Sequence, residues 1–314
     1  METAILHDHS RKIRAIAESL GFAACGISPA NRLEQDEARL HNWLLNGYHG
    51  EMDYMARNFD KRTDPCILLP GAKSVISVLM NYYPEESLSE GNHYKIARYA
   101  YGKDYHLVIR EKLNLMISRI KQFACDFQAR AFTDSAPVLE KAWAARSGLG
   151  WIGKNTCLIH PKLGSYVFLG EIITDLVLAY DDRRINDLCG GCNRCIESCP
   201  TGAILAPRLL AARKCISYLT IEYRGDLPPE EKDHFKGWIF GCDICQEVCP
   251  WNRKATPARE SAFIPSPGLK AMDKEKWEDL TEEQFNDLFR ESAINRTKFS
   301  GLKRNITFLK KSDQ

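Results

Sequence analysis

The chain has 314 residues, a formal net charge of +2 and 44% hydrophobic residues, a composition typical of a globular protein with about two domains. No apolar stretch reaches the roughly 18 uncharged residues that a membrane helix needs, and residues 1–20 lack the apolar core of a signal peptide. These features argue against a membrane span and against a strong global field for polyanions, and we expect a cytoplasmic protein.

Helical periodicity and apolar runs predict a mixed α/β (α+β) core over residues 1–180. The predicted helices cover residues 8–20, 33–46 and 138–147, with a further helix that repeats apolar side chains at Ile109, Leu113, Met116, Ile117 and Ile120. The predicted strands cover residues 22–27, 74–82 and 129–133, then 156–160 and 166–179, which are joined by residues 161–165.

A change in composition at residues 181–184 predicts a second domain, 181–265, that is rich in cysteine, glycine and proline. In a C-terminal helical extension, 266–314, Thr281 and Gln284 predict a capping box for a helix over 282–290. Residues 296–311 of this extension carry six basic residues and no acid: Arg296, Lys298, Lys303, Arg304, Lys310 and Lys311. A solvated tail and a phosphate-binding tail both fit this pattern.

The twelve cysteines are unevenly distributed along the chain. Eight lie between Cys189 and Cys249, whereas four lie outside this segment and have no predicted role: Cys25, Cys66, Cys125 and Cys157. Thiols stay reduced in the cytosol, so a dense cysteine segment there indicates metal or redox chemistry.

The first cysteine motif is the bacterial ferredoxin run, in which three thiolates bind one [4Fe–4S] cluster and the fourth binds a second cluster. It reads Cys189-x2-Cys192-x2-Cys195-x3-Cys199-Pro200. The second motif, Cys242-x2-Cys245-x3-Cys249-Pro250, is one cysteine short, and Cys215 is the spare cysteine that completes it. Paired Cys-x2-Cys units are common in zinc sites, so the triple run with Cys-Pro favours clusters over zinc.

The crossing of ligands between the two motifs assigns each cysteine to a cluster. Cluster 1 takes Cys189, Cys192, Cys195 and Cys249. Cluster 2 takes Cys199, Cys215, Cys242 and Cys245. Two such clusters form a one-electron relay, so we expect residues 1–180 to hold the site that the relay serves.

The first 180 residues contain neither the glycine fingerprint of a dinucleotide fold nor a phosphate-binding loop. The sequence Asp104-Tyr105-His106 matches only the start of a DxHxxG cobalamin motif, because Ile109 replaces the glycine, so we expect His106 to be a capping or surface residue. Asp134 ends a predicted strand and fits either a helix N-cap or a functional carboxylate at the end of a strand.

Four stretches, followed by the double cysteine motif with its early Cys215, resemble the epoxyqueuosine reductases, cobalamin-dependent enzymes of the last step of queuosine synthesis in tRNA. The matching stretches are residues 97–106, 133–141, 150–155 and 164–171, and the resemblance covers about residues 10–260. Many members of that family continue into helical HEAT-like repeats, for which this chain is too short, and some carry a cysteine where this chain has Ala97.

The resemblance implies a nitroreductase-like cobalamin-binding domain, a ferredoxin-like domain with two [4Fe–4S] clusters, and base-off cobalamin with no protein ligand below the cobalt. It implies that Asp134 donates a proton, from a pKa raised in an apolar pocket, as epoxyqueuosine is reduced to queuosine at the wobble position. The residues expected to contact cobalamin are Arg57, Asp134, Lys141, Lys154, Asn155 and Ser165.

The implied partners are tRNAs with GUN anticodons and an external one-electron donor such as a flavodoxin or ferredoxin, without a membrane, and we expect a monomer. The expected tRNA contacts are Arg208, Arg213, Lys214, Arg224, Lys303 and Arg304. The alternatives are a corrinoid iron–sulfur enzyme of the reductive dehalogenase kind and a non-enzymatic electron-transfer protein.

Overall fold

The computed structural model describes residues 2–88, 93–181 and 184–310. Its helices are α1 (Glu2–Ser19), α2 (Glu34–Leu45), α3 (Tyr54–Arg57), α4 (Phe59–Thr63), α5 (Pro65–Leu68), α6 (Tyr105–Ile120), α7 (Glu140–Arg146), α8 (Arg194–Glu197), α9 (Ile216–Ile221), α10 (Ile244–Glu247), α11 (Pro267–Lys270), α12 (Lys274–Glu278), α13 (Glu282–Phe289) and α14 (Lys298–Leu309). Its strands are β1 (Ala24–Pro29), β2 (Ser74–Asn81), β3 (Lys95–Ile96), β4 (Ala129–Phe132), β5 (Trp151–Ile152), β6 (Leu158–Ile159), β7 (Val167–Thr174), β8 (Ile204–Ala206), β9 (Leu209–Leu210) and β10 (Trp238–Phe240). Short 3-10 helices cover Arg98–Ala100, Ala212–Lys214, Pro229–Phe235, Pro250–Asn252, Ser261–Phe263 and Ala293–Thr297.

Four strands form the central sheet in the order β1-β2-β7-β4, and each neighbouring pair is antiparallel. The predicted mixed α/β core is therefore an α+β core. β4 lies at the edge of this sheet, and Asp134 follows it by two residues. The rule that sites lie at the carboxyl ends of parallel strands does not apply here, so the position of Asp134 depends on this edge and on the turn after it.

Helices α1 and α6 cover one face of the sheet. Ile109, Leu113 and Met116 of α6 are fully buried, because their helical spacing places them on one side of the helix. Gly170 in β7 allows α6 to approach closely, since a Cβ there would lie 2.8 Å from a methyl group of Ile109. Trp143 and Ala144 of α7 are buried on the other face. Burial on both faces accounts for the continuous apolar run of β2.

The cysteine segment and the C-terminal helices pack onto residues of the first part of the chain. β10 pairs in parallel with β3, and the backbone N–H of Ala97 donates to the carbonyl of Phe240 at 2.8 Å. Trp277 and Phe289 of the C-terminal helices are buried in one cluster with Ile96 of β3. The domain limits at residues 180 and 265 stay predictions, and the packing is continuous across both.

All ten helices and strands that the sequence predicts are present, although α1 begins at Glu2 instead of residue 8 and β7 ends at Thr174 instead of residue 179. The other short helices and strands were not predicted. The expected strand over 156–160 is shorter, because β6 pairs with β5 and a single bridge between His160 and Gly164 closes the next turn. The capping box of α13 is present, with both the Thr281 and the Gln284 side chains bonded to the backbone. None of the helices in the described residues has the length and apolar character needed to cross a membrane.

Candidate active site and cluster-binding segment

A cavity of about 1000 Å³ brings Asp134 and Cys215 into one space. Its walls come from α3, the first turn of α6, the loop after β4, α9 and the segment before α14. Aromatic and charged side chains dominate the lining, among them Tyr54, Arg57, Arg62, Tyr99, Asp104, Tyr105, His106, Tyr218, Glu222, Arg296 and Lys298. This volume is at the upper end for small-molecule sites, so the cavity suits a large ligand with polar edges.

Asp134 lies at the centre of a hydrogen-bonded network on the cavity wall. The Tyr105 hydroxyl donates to its carboxylate, and His106 Nε2 lies 3.2 Å from Asp134 Oδ2. His106 Nδ1 lies 2.6 Å from Asp104 Oδ1, and Asp104 also caps α6 by accepting the backbone N–H of His106. The same helix start therefore places an imidazole between two carboxylates.

This network lowers the pKa of Asp134 and raises that of His106. Burial favours a higher pKa for Asp134, but the hydrogen bonds from His106 and Tyr105 outweigh it and lower the pKa. Burial opposes the charged form of His106, but the hydrogen bonds to Asp104 and Asp134 raise its pKa to about 9. The expected raised pKa of Asp134 is therefore wrong for this arrangement, in which the proton resides on His106.

The thiols form two groups when their electrostatic contacts are compared. Burial raises the pKa of Cys249, and the neighbouring Cys189, Cys157 and Cys192 raise it further. Burial likewise raises the pKa of Cys195, with added contributions from Cys249 and Cys189. Apart from Cys157, these thiols are the set expected for cluster 1, contributed by both motifs.

The second group includes Cys215, which lines the cavity. Burial raises the pKa of Cys242, and Cys215 and Cys199 raise it further. Cys245 contacts Cys157, whose pKa falls to about 7 chiefly through this hydrogen bond. The eight thiols thus fit two four-thiolate clusters, with Cys157 acting on Cys249 of the first group and on Cys215 and Cys245 of the second, while the individual ligand assignments stay predictions.

The glycine-rich turn around β5 contacts the cysteine segment. Trp151 is buried, and its indole N–H donates to Cys189 Sγ at 3.4 Å. The backbone N–H of Ala203 donates to Cys199 Sγ at 3.3 Å. Each contact supplies a hydrogen-bond donor to a predicted ligand sulfur.

Two of the six residues expected to contact cobalamin, Arg57 and Asp134, line the cavity. The structure places the other four elsewhere, where each has an internal partner. Lys141 donates to the carbonyl of Thr156, and Lys154 donates to the side chain of Asn193. Asn155 and Ser165 are buried and anchor the second cysteine motif, with bonds from Asn155 to the Cys245 carbonyl and from Ser165 Oγ to Gln246.

Three of the six residues expected to bind tRNA have donors committed to backbone carbonyls. Arg224 donates to the carbonyls of Arg296 and Thr297. Lys303 donates to the carbonyls of Glu278 and Leu280. The guanidinium of Arg304 donates to three carbonyls, those of Leu219, Tyr223 and Gly225. These contacts give part of the basic run a structural role, because donors that cap carbonyls are not offered to phosphates.

The other expected tRNA residues lie nearer the surface. Arg208 pairs with Asp187, whereas Arg213 and Lys214 are exposed on the 3-10 helix that ends beside Cys215. Lys298, from the basic run, lines the cavity, and Lys311 lies outside the described residues. The tRNA contacts stay predictions.

Several residues at or near the site were given no functional role from the sequence, although all of them lie in the stretches that carry the family resemblance. Tyr105 and His106 lie in residues 97–106, at the start of the DxHxxG match that Ile109 breaks, and two glutamates near the Asp134 loop, Glu140 and Glu171, lie in residues 133–141 and 164–171. Apart from these stretches, the only hint of a functional role for His106 in the sequence is its position two residues after Asp104, the N-cap of α6. This position does not distinguish a functional histidine from any other residue in the first turn of a capped helix.

Together these features define a class of protein, a double-cluster iron–sulfur protein whose cluster segment adjoins a ligand cavity. Residues 188–252 match the family model described as 4Fe-4S double cluster binding domain, and residues 62–135 match the model described as epoxyqueuosine reductase QueG, DUF1730. The epoxyqueuosine reductase of Cellulophaga algicola is 52% identical over 302 residues, covering 96% of this chain and 98% of that protein. That of Leadbetterella byssophila is 52% identical over 97% of this chain and 99% of its own length. The chain belongs to the epoxyqueuosine reductase family.

Solved structures agree with this placement. An epoxyqueuosine reductase with an epoxyqueuosine-modified tRNA-Tyr stem loop is 30% identical, with a TM-score of 0.88 over 96% of this chain and 80% of that one. A Bacillus subtilis epoxyqueuosine reductase, with its own Asp134 catalytic loop swung out of the active site, is 29% identical, with a TM-score of 0.86 over 96% of this chain and 81% of that one. The reductive dehalogenase NpRdhA shares the fold alone, at 18% identity and a TM-score of 0.52 over 80% of this chain and 33% of that one.

Proposed function

We propose that this protein reduces epoxyqueuosine to queuosine at the wobble position of tRNAs with GUN anticodons. The observation that carries the proposal is the shared cavity, in which a proton-holding network at Asp134 faces Cys215, an expected ligand of the second cluster. Reductive removal of an oxygen atom requires both an electron donor and a proton donor near the substrate. The second cluster at Cys215 and the Asp134 network would supply them in one cavity. Family membership and the tRNA-bound relative support the same substrate.

The residues fit the cofactors that the proposal needs. Two groups of four thiols suit two [4Fe–4S] clusters, and the cavity suits cobalamin by its size and its aromatic walls. Both ring nitrogens of His106 are engaged by carboxylates, which supports base-off cobalamin without this histidine as a ligand. When bound in the cavity, cobalamin would supply the electrons that break the carbon–oxygen bonds of the epoxide.

The reaction consumes two electrons and two protons, releases the epoxide oxygen as water and leaves a carbon–carbon double bond. The negative charge that develops on oxygen must be met by a proton within hydrogen-bonding reach. The Asp134 side chain is 56% exposed towards the cavity, and it would pass on a proton drawn from His106. An alkoxide is far more basic than either group, so this relay runs downhill once the bond begins to break.

Basic residues at the cavity mouth would hold the tRNA. Arg57 and Lys298 line the cavity, and Arg213 and Lys214 are exposed on the 3-10 helix before Cys215. These side chains would contact phosphates and the residues that cap carbonyls would not. We further infer a nitroreductase-like cofactor domain, action in the cytoplasm as a monomer, and an external one-electron donor such as a flavodoxin or ferredoxin.

The test compares the wild-type protein with Asp134→Asn. Each is loaded with clusters and cobalamin, supplied with a chemical reductant and given a stem loop carrying epoxyqueuosine, and the nucleosides are then measured by mass spectrometry. We expect queuosine from the wild type and a loss of about 100-fold or more in the variant, with iron and cobalamin contents unchanged. Deletion of the coding sequence should make epoxyqueuosine accumulate in cellular tRNA. Unchanged queuosine in the deletion strain would refute the function, and wild-type turnover in Asp134→Asn would refute the role of that residue.

A further inference from the structure

Beneath the Asp134 loop lies a pair of carboxyl groups that the reaction described above does not use. Glu171 in β7 is fully buried, and among the described residues no donor lies within hydrogen-bonding distance of either of its carboxylate oxygens. Glu140 at the start of α7 is its neighbour, and the two carboxyls form a hydrogen bond only when a proton lies between them. Glu171 is fully buried and Glu140 is partly buried beside it, and two adjacent carboxyls in such a place cannot both ionise cheaply, so the pair retains a proton.

The groups around the pair do not neutralise it. Lys141, next to Glu140 on α7, donates to the carbonyl of Thr156, and His106 on α6 is held between Asp104 and Asp134. On the neighbouring strand β2, Ser77 stands opposite Glu171, and its hydroxyl makes no hydrogen bond within the described residues. Burial and the charge of Asp134 raise the pKa of Glu140 to about 8, and burial with the charge of Glu140 raises that of Glu171 well above its usual range.

Glu140 also contacts the Asp134 loop directly. One of its carboxylate oxygens accepts the backbone N–H of Asp134. Asp134 has a φ of +43°, a left-handed conformation that costs free energy for a residue other than glycine and persists only when its surroundings hold it. The relative from Bacillus subtilis whose catalytic loop is swung out shows that such a loop has a second position in that protein.

We propose that Glu140 is a positioning residue that holds the Asp134 loop in the cavity, and that Glu171 keeps Glu140 in place by sharing a proton with it. This inference rests on the proposed function. A chain of hydrogen bonds then runs from Glu171 in the sheet, through Glu140, to the backbone of Asp134. Tyr105 and His106 hold the side chain of Asp134. Glu171 acts as a neutral donor in this chain of hydrogen bonds and Glu140 as the acceptor.

Four variants separate positioning from folding. Glu140→Met keeps the size of the side chain but removes the acceptor, and we expect kcat to fall about 100-fold with KM for the stem loop unchanged. Glu140→Gln retains an acceptor and should recover most of the activity. Glu171→Gln mimics the protonated carboxyl and should remain near the wild type. The double variant Glu140→Met with Glu171→Leu replaces the pair with apolar groups and should keep or raise the melting temperature while kcat stays low. Glu111→Met, an exposed acid on α6, is the matched control.

Amide hydrogen exchange tests whether Glu140 restrains the Asp134 loop, and it does not require enzyme turnover. In the cluster-loaded protein we expect the peptide containing Asp134 to exchange at least about 10-fold faster in Glu140→Met than in the wild type or Glu140→Gln. Unchanged exchange, or a loss of kcat no larger than in Glu111→Met, would overturn the proposal. So would a loss of activity in Glu171→Gln equal to that in Glu140→Met, because it would require a charged Glu171. An inactive wild type would instead refute the proposed function, and the exchange pattern would still decide the role of the pair.

Discussion

At the scale of single residues, the site stores its proton on an imidazole that carboxylates hold on both sides. Asp104 fixes His106 Nδ1 and Asp134 meets Nε2, so the charged form of the ring is favoured over the neutral one. The carboxylate of Asp134 keeps its negative charge because the same contact lowers its pKa. The general acid that protonates the alkoxide can therefore consist of two residues: His106 holds the proton, and Asp134 transfers it.

The histidine gives a titration that can be measured directly. We expect a pKa of about 9 for His106 by NMR of the imidazole nitrogens in the wild-type protein. Asp104→Asn should lower this pKa towards 6.5, the ordinary value for histidine, because it removes one of the two negative partners.

The sign of the linked stability follows from the direction of the shift. A raised pKa means that the folded protein binds the proton more tightly than the unfolded chain. The stabilising contribution of His106 is therefore complete below about pH 6.5 and is lost as the pH rises to about 9. His9, whose ring meets that of Phe123 edge-on and does not line the cavity, provides an internal reference signal. A His106 pKa at or below 6.5 would contradict the network as described.

At the scale of elements, most basic side chains of residues 296–311 that the structure describes are engaged in contacts within the protein. Carbonyls at the ends of α9 and α12 have no partner within their own helices, and Arg304 and Lys303 of α14 supply donors to them. Arg296 pairs with Glu222, and Lys310 pairs with Glu278. The basic residues that the sequence suggested as phosphate ligands therefore mainly attach α14 to α9 and α12.

This division predicts opposite outcomes for two sets of basic residues. Arg304→Met should lower the stability of the protein by about 2 kcal/mol or more, because it leaves three carbonyls without their charged donor. It should leave the salt dependence of stem-loop binding unchanged. Arg213→Gln with Lys214→Gln should do the reverse, reducing the slope of log K against log salt by about 1 for each residue without changing the melting temperature.

Thermal melts and binding measured at several salt concentrations distinguish the two sets. Thr307→Ala, at an exposed position of α14, controls for changes in the helix itself. A reduced salt slope in Arg304→Met would restore the expected tRNA contact for that residue.

At the scale of the whole molecule, the two cysteine motifs are predicted to exchange their last ligands. The thiol group around Cys249 contains cysteines of the first motif, and the group around Cys242 contains Cys199. Each cluster would therefore tie together two segments that are about 50 residues apart in the chain. Loss of one cysteine ligand should therefore affect a cluster whose other ligands include cysteines of the other motif.

Serine substitutions test this crossing. Cys195→Ser and Cys249→Ser should remove or alter the same electron paramagnetic resonance signal, although these residues belong to different motifs. Cys199→Ser and Cys242→Ser should alter the other signal, and the iron content should fall from about eight atoms per chain towards four in each variant. Cys125→Ser, at an exposed cysteine outside the segment, is the control. A shared signal for Cys195→Ser and Cys199→Ser would contradict the crossing, and zinc that restores full activity without iron and sulfide would contradict the clusters.

Much of the fold could be predicted because it depends on short-range patterns. Apolar spacing in α6, the continuous apolar run of β2 and the capping box of α13 each depend on residues within a few positions of one another. The site was predicted less completely. Asp134 was a candidate, but the raised pKa expected for it was wrong, because the two groups that lower its pKa act through contacts formed when α6 packs beside β4.

The sequence by itself determined the class of this protein, because cluster ligands are read from cysteine type and spacing along the chain. It also determined the family, through stretches that occur in a fixed order. Only the tertiary structure decided which charges act on which groups. Burial and through-space contact within a few ångströms, not distance along the chain, set the proton on His106, paired Glu140 with Glu171 and turned Arg304 from a surface charge into a cap for three carbonyls.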